Sequence, residues 1–255
     1  MRRARGVFLP MPGFESLTED ALLGGRVRLL QPRDGLRATI DPVLLAAFVP
    51  AKPGQRVLEG GCGVGSAFLC LAARVPGLEI VAIEREEKLA ELAARNAALN
   101  GVKAEVRPVD VRKADLPEWG PLPRYDHAFA NPPWWPGGTP PPSERRAFAT
   151  HEEEMPLSHW IWALGNPLRH QGTLTLVLPA ARLGDAAAAL KAARFGGITL
   201  LPLWPRAGQP AKRLLLQARR GGRGPDRVLA GLTLHAGTGF TPEAEAVLRE
   251  GAALG

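Results

Sequence analysis

Apolar positions along the chain come in two spacings: short unbroken runs, and longer segments with a one-sided apolar stripe. The alternation between them predicts strands followed by helices. The first signal is weak: after the Gly24-Gly25 turn, Arg26-Val27-Arg28-Leu29-Leu30-Gln31 alternates as an edge strand does. Asp41-Pro42 then opens the run 43–49, and Asp as N-cap with Pro at the first helical position predicts a short buried helix ended over 50–54. Residues 56–59 form a short strand that enters a glycine turn, and 66–74 continue as a helix rich in Ala and Leu. Residues 78–84 read as a second strand. The helix over 86–100 places Leu89, Leu92, Ala93 and Ala97 on one face and is stopped by Asn100-Gly101.

The same reading gives strands over 104–110, 125–130 and 172–179. Ser158 caps a helix through Trp160, Ile161, Trp162 and Leu164, whose tryptophans sit at the spacing of core residues. An Ala-rich helix over 182–195 precedes two closing strands, 198–204 and 212–218, and Thr241-Pro242 opens a last helix that Gly251 closes. Strand–helix alternation followed by a terminal strand pair predicts an α/β fold. Its doubly wound sheet is mostly parallel with an antiparallel closing strand, and its site lies at the carboxyl ends of the strands.

Composition narrows this picture. At 255 residues and 45% hydrophobic content, one α/β domain can bury a full core. The net charge of +7 points to an acidic partner, with nucleic acid the first candidate. Cys62 and Cys70 are too few for a disulfide framework or a cysteine zinc site, so the expectation is a reducing, cytoplasmic setting without a structural metal. No apolar run approaches the roughly 20 residues that span a bilayer. The start, Met1-Arg2-Arg3-Ala4-Arg5, is basic, and Pro10, Pro12 and Glu15 break up the stretch after it, so residues 1–22 read as a basic arm. Positive charge gathers late: Arg206, Lys212, Arg213, Arg219, Arg220, Arg223 and Arg227 stand against Asp226 alone. With Gly221, Gly222 and Gly224 interspersed, 219–227 reads as a mobile basic loop whose guanidiniums can meet phosphates.

Candidate chemistry sits at three strand ends. Glu59-Gly60-Gly61-Cys62-Gly63-Val64-Gly65 joins strand to helix, where glycines accept positive φ and the new helix offers free N–H groups. The spacing is not that of a dinucleotide loop: G-x-G-x-x-G ends at Ser66 counted from Gly61, and at Phe68 counted from Gly63. Glu84 ends the second strand 21 residues after Gly63 (84 − 63), near the roughly 20-residue offset at which an acid meets ribose hydroxyls. Asn131-Pro132-Pro133-Trp134 ends the fourth strand. There an amide oxygen and a backbone carbonyl can accept the two protons of a planar amine while the ring stacks on it and the prolines stiffen the turn. The loop 135–146 is rich in Pro and Gly, and its Ser143-Glu144-Arg145-Arg146 suits a lid or a phosphate contact; His151 has no assigned role.

G-x-G-x-G behind an acidic residue resembles the first motif of class I S-adenosylmethionine-dependent methyltransferases, and Asn131 to Trp134 resembles the fourth motif of those acting on adenine amines. Gly24-Gly25-Arg26, Gln31-Pro32, Arg37-Ala38, Asp41 with Leu44-Leu45-Ala46-Ala47, Leu234-His235 and Gly239-Phe240-Thr241 extend the resemblance from about Leu23 to the C-terminus. The chain is thus similar to the methyltransferase family that includes the tRNA(Val) adenine N6-methyltransferase, which modifies the adenosine beside the anticodon. The resemblance implies a single methyltransferase domain over 23–255 with S-adenosylmethionine as cofactor. Glu59, Gly61, Gly63 and Gly65 would hold its methionine part and ribose, Glu84 the ribose hydroxyls, and Asp110 with the Val111 backbone its adenine. Asn131, Pro132, Pro133 and Trp134 would hold the target amine. The implied partner is RNA, tRNA first and ribosomal RNA second, through residues 206–227; a protein glutamine amide, or binding without catalysis, stays open. Three residues depart from the pattern. Glu59 replaces the usual Asp, Trp134 replaces a Tyr or Phe and so cannot place a hydroxyl, and Gly60 replaces an aliphatic residue, predicting a looser strand end.

Overall fold

The computed structural model describes residues 14, 16–33, 37–113, 125–133 and 155–255. The chain opens with an antiparallel hairpin of β1 (Leu17–Leu22) and β2 (Val27–Pro32), which pairs Leu17 with Pro32 and Leu22 with Val27. The boundary expected between arm and domain at 22/23 falls inside this hairpin: Leu17, Leu22, Leu29 and Leu30 are buried, so 17–22 belong to the folded unit. Helix α1 (Asp41–Phe48) comes next. Its N-cap is Ile40 rather than the expected Asp41, whose carboxylate faces Arg213 at 3.4 Å instead.

The alternating elements continue as β3 (Arg56–Gly60), α2 (Ser66–Arg74), β4 (Glu79–Glu84), α3 (Glu87–Leu99), β5 (Ala104–Pro108) and β6 (Tyr125–Ala130). Then come α4 (Leu157–Gly165), β7 (Leu168–Pro179), α5 (Leu183–Ala192), β8 (Phe195–Arg206) and β9 (Arg213–Arg220). Short strands β10 (Arg227–Val228), β11 (Leu232–Ala236) and β12 (Gly239–Phe240) lead to α6 (Pro242–Glu245), which runs on as a wider turn over Ala246–Glu250. Thr241 caps α6 as expected: its Oγ1 accepts the Ala244 N–H at 3.1 Å.

Among the described residues the main sheet holds ten strands, in the order β12-β11-β8-β9-β7-β6-β3-β4-β5, with β10 also on β8. Strands β3 to β7 run parallel, and β9 lies antiparallel between β7 and β8. Successive strand residues feed opposite faces. Val57, Phe129, Val177 and Leu215 join the layer of α1, α2 and α3, while Leu58, Ala128, Leu176 and Leu216 join the layer of α4 and α5. Burial on both faces explains why these strands read as unbroken apolar runs. β3 is the first strand of this sheet in chain order, and its neighbours β4 and β6 come from crossovers in opposite directions. Such a switch point opens a crevice at the carboxyl ends.

Two expectations are corrected at the closing strands. The helix expected to reach 195 ends at Ala192, because Arg194 turns left-handed (φ 61) and Phe195 already starts β8. The loop expected over 219–227 is partly strand: Arg219 and Arg220 complete β9, and Arg227 and Val228 pair with Thr199 and Leu200.

A two-stranded hairpin is marginal by itself, and α3 supports it. Asn96 Oδ1 accepts the Leu30 N–H (2.9 Å) while its Nδ2 donates to the Leu30 carbonyl (2.8 Å). One turn later, Asn100 makes the same pair of bonds to Arg28, at 2.8 and 2.7 Å. The two amides line the free edge of β2 as a neighbouring strand would. Inside the hairpin, buried Asp20 accepts from Gln31 Nε2 (2.7 Å) and from the Arg37 guanidinium, and Gln31 Oε1 accepts the Ala38 N–H (2.9 Å).

Candidate active site

Parallel register sets the site. Gly60 is level with Ile83 on one side and with Ala130 on the other, so Gly61, Glu84 and Asn131 each lie one residue past a common line. Ile83 in turn is level with Arg107, which puts Asp110 three residues past the same line. With strands about 4.8 Å apart, the segments from Asp110 to Asn131 span roughly 15 Å of rim.

Each glycine of the loop has its own reason. Gly61, Gly63 and Gly65 all take positive φ, at 63°, 55° and 90°. A Cβ on Gly61 would come within 2.8 Å of the Trp160 ring, and one on Gly65 within 2.6 Å of the Phe68 ring. At Gly63 the same atom meets nothing within 4 Å among the described residues. Gly61 and Gly65 let helices close on the loop, whereas Gly63 borders open space.

Two carboxylates hold the loop from below. Glu59 is buried, and its Oε2 accepts the Phe68 N–H at 2.8 Å, filling an orphan donor in the first turn of α2 that the cap residue Gly65 cannot reach. Burial pushes its pKa well up. Glu84 Oε2 accepts the Gly63 N–H at 2.9 Å and Oε1 accepts the Glu86 N–H at 3.0 Å. Burial raises the Glu84 pKa too, against the two N–H bonds that favour its charged form.

Asp110 accepts the Arg112 N–H (2.9 Å) and its guanidinium (2.8 Å from Nε). Partial burial acts to raise the Asp110 pKa, but the Arg112 contacts outweigh it and the carboxyl stays below its ordinary range. Val111, buried in the next turn, packs in the layer of α4. On the other flank Pro132 is buried while Asn131 and Pro133 are half-buried at the mouth of β6. Trp134, the loop 135–146 and His151 lie outside the described residues.

The structure explains one departure and adds residues that sequence reasoning does not reach. A Cβ on Gly60 would lie 2.8 Å from Leu164 Cδ2, so Leu164 of α4 fills the space an aliphatic residue would take. Gly60 stays paired with both neighbouring strands, and the strand end is not loosened. Asn96 is the main addition: besides holding Leu30, its Nδ2 donates to the Val64 carbonyl at 2.9 Å, tying the glycine loop to the hairpin. A signal for it exists, since Asn96 interrupts a helix otherwise made of strong helix formers. Trp160 is a core residue, as its spacing predicts, but it also walls the loop, and its buried Nε1–H has no acceptor among the described residues.

These features fit S-adenosylmethionine. A carboxylate has about four acceptor positions; Glu84 uses two on backbone N–H groups, leaving two for a ribose diol. Gly63 borders open space beside it, and an orphaned indole donor lies against the same loop. Among the described residues, no group of three or more His, Cys, Asp or Glu could hold a metal ion, and no helix is long and apolar enough to cross a membrane.

Comparison with known proteins agrees. Residues 39–148 match the model of the methyltransferase small domain. The chain is 30% identical over 222 residues to the tRNA1(Val) (adenine(37)-N6)-methyltransferase of Porphyromonas gingivalis, covering 82% of this chain and 85% of the relative. It is 29% identical to the enzyme of the same name from Dickeya chrysanthemi, covering 78% of each. Among solved structures it is similar to an Agrobacterium tumefaciens protein described as a predicted O-methyltransferase, with TM-score 0.69, 28% identity and coverage of 84% of this chain and 98% of that one. An S-adenosylmethionine-dependent O-methyltransferase of Thermotoga maritima shares the fold, at TM-score 0.54 and 17% identity over 76% of this chain and 69% of that one. Glycine loop, strand-end carboxylates and sequence relatives therefore converge: the chain belongs to the class I S-adenosylmethionine-dependent methyltransferase family that includes the tRNA1(Val) (adenine(37)-N6)-methyltransferases.

Proposed function

We propose that this chain methylates the exocyclic N6 amine of an adenine in tRNA. The observation that carries the reading is the common level of β3, β4 and β6, which sets Asn131-Pro132 beside the glycine loop and Glu84. The relatives' names supply the substrate class. An O-methyltransferase would point instead to an oxygen acceptor. A hydroxyl, however, presents one proton and calls for a base, whereas an amide oxygen and an adjacent carbonyl make two neutral acceptors for the two protons of an amine.

S-adenosylmethionine supplies an electrophilic methyl on a positively charged sulfur. The chain positions its partner. Glu84 would accept from the ribose hydroxyls, Asp110 would accept from the cofactor's adenine amine while keeping Arg112, and the Val111 backbone would border the same ring. Gly61, Gly63 and Gly65 let the loop approach the methionine part, with Glu59 holding α2 beneath it. The target base is flipped out of its stack. Asn131 accepts one N6–H and the Pro132 carbonyl the other, which turns the nitrogen lone pair out of conjugation with the ring. Pro133 fixes the turn and Trp134 stacks on the base. Bound there, the cofactor would supply the methyl group that the N6 lone pair takes up, and the proton shed by the methylated amine would pass to solvent. Positioning supplies most of the acceleration. The RNA is held by cations drawn from residues 206–227, the methyltransferase unit is one domain from Leu17 onward, and the setting is the cytoplasm, where tRNA is modified.

The test is transfer of labelled methyl to unmodified total tRNA, with products digested to nucleosides and identified by mass. N6-methyladenosine from the unaltered chain, formed at least about a hundredfold more slowly with Asn131→Ala, is the expected result. Methyl found only on protein, or no nucleoside product from a chain that binds S-adenosylmethionine, overturns the reading.

A further inference from the structure

The basic stretch 206–227 is continuous in sequence but not in space. β9 runs antiparallel to its neighbours, pairing Arg213 with Pro179 and Leu203 and Arg219 with Thr173. Pro179 lies three residues beyond Leu176, which is level with Ala130, so Arg213 overhangs the same rim as Asn131. Lys212 stands one residue further out and its carbonyl accepts the Ala180 N–H at 3.1 Å; Arg206 ends β8 on the same side. Arg219 lies six residues down the strand, about 20 Å away at ~3.4 Å per residue, at the opposite end of the sheet.

We infer that tRNA docks on the carboxyl rim through Arg206 and Lys212, with Arg213 between them and the target pocket, and that residues 219–227 at the far end take no part. This deepens the tRNA reading above and rests on it. With the strand order β6-β7-β9-β8, the line of β9 lies about 10 Å from that of Asn131 and the line of β8 about 15 Å. That is the reach of the nucleotides flanking a flipped base. Arg206 and Lys212 are both exposed; Arg206 donates from one guanidinium nitrogen to the Gly237 carbonyl at 2.7 Å and keeps its remaining N–H groups for a phosphate. Beyond them the rim continues into β11, where His235 is level with Arg206 and stacks on Phe240, the rings 4.7 Å apart and 21° from parallel. Such an aromatic face beside cations suits single-stranded RNA.

Three of the four far-end arginines have other work. Arg219 donates to the Gln171 carbonyl (3.4 Å), Arg220 to the Asn166 carbonyl (2.5 Å) and to that of Leu168, and Arg227 to Thr199 Oγ1 (3.1 Å). They satisfy backbone and side-chain acceptors where β7, β8 and β9 begin and end. Asp126 pairs there with Arg169, and Asp226 with Lys191, diluting the positive field.

The test compares two charge-matched double variants by fluorescence anisotropy of labelled, unmodified total tRNA, at several salt concentrations. Arg213 is left in place because it pairs with Asp41. Arg206→Gln with Lys212→Gln should weaken tRNA binding roughly tenfold and lower the slope of log K against log salt by about 1 to 2. Arg223→Gln with Arg227→Gln should stay within about twofold of the unaltered chain. Calorimetric titration with S-adenosylmethionine should give the same affinity for all three, showing the site intact. Equal weakening by both pairs, greater weakening by the far-end pair, or no binding of tRNA by the unaltered chain overturns the inference. Binding through the rim without methylation sinks the reaction and leaves the surface standing, so the two failures are distinct.

Discussion

At the amino ends of the central strands, charged and polar side chains close onto protein. Asp126 accepts the Arg56 N–H at 2.8 Å and pairs with Arg169 at 2.8 Å. His127, buried in β6, bridges Gln55 Oε1 at 2.9 Å and Thr173 Oγ1 at 2.7 Å. Because an amide oxygen only accepts, the ring must donate from Nε2 and accept the threonine hydroxyl at Nδ1, which is the neutral form. At the carboxyl ends the same kinds of group keep capacity in reserve. Glu84 spends two acceptor positions on the loop, Gly63 borders open space, and Asn131 sits half-buried at the mouth. The fold spends its polar groups at one end and offers them at the other. Substitutions at the carboxyl edge should therefore change activity, and those at the amino edge stability.

The largest expected effect is at the open end. Asn131→Ala should lower kcat by about 10²- to 10³-fold, the usual loss when one preorganised polar contact to a reacting group is removed. S-adenosylmethionine affinity should remain near that of the unaltered chain, measured by calorimetry. Parallel loss of both would mean that Asn131 supports the cofactor, and the comparison would fail at its centre.

Asn96→Ala tests the link between the two functions. It leaves the Leu30 N–H, the Leu30 carbonyl and the Val64 carbonyl without their partner in a fully buried place. Urea unfolding should show a loss of about 3 kcal/mol, against about 1 kcal/mol for Asn100→Ala at the exposed end of the same ladder. Weaker cofactor binding should accompany the first and not the second, since only Asn96 reaches the glycine loop.

The amino edge should announce itself through pH. Burial lowers the His127 pKa from 6.5 to about 4. The folded-state value is below the unfolded one, so between these pH values the unfolded chain binds a proton the folded chain refuses. The stability contributed by neutral His127 is present above about pH 6.5 and lost as pH falls toward 4, up to about 3 kcal/mol in all. Glu59 works in the opposite sense, because its raised pKa lets the folded chain take up a proton readily on acidification. Unfolding curves of the unaltered chain and His127→Gln across this window separate the two. The pH slope due to His127 should vanish in the variant, and identical slopes would show that the bridge to Gln55 and Thr173 does not control the titration.

Legibility in the sequence divides along the same line. The glycine loop, Glu84 and Asn131 can be found because each stands at the end of an apolar run, and parallel strands bring such ends together without further information. Of the hairpin support, only the break that Asn96 makes in a run of helix formers is legible; which strand edge Asn96 and Asn100 meet leaves no periodic signal in the strand. Arg206 and Arg219 read as one basic patch because charge is counted along the sequence, whereas the length of β9 carries Arg219 to the opposite end of the sheet. Trp160 and Trp162 sit at helical spacing, yet one is buried against Gly61 and the other is 40% exposed. Their fates depend on where the face of α4 turns.

The smallest predicted effect bears on whether the departure at Gly60 weakens the site. Leu164 Cδ2 occupies the space of a Cβ there, and that atom is the end of a flexible side chain, so the conflict can be relieved by a modest shift. Gly60→Ala should cost about 1 kcal/mol, at the low end of overpacking penalties. The same substitution made together with Leu164→Val should cost close to nothing beyond Leu164→Val alone, because the shorter side chain vacates the contested space. A double-mutant cycle by urea unfolding reads the coupling. Coupling near 1 kcal/mol would show strand end and helix exchanging one aliphatic volume, with the glycine a relocation of packing and not a loss. Strict additivity would instead put the cost in the backbone of β3, and Gly60 would then be needed for its own conformation at the entrance to the cofactor loop.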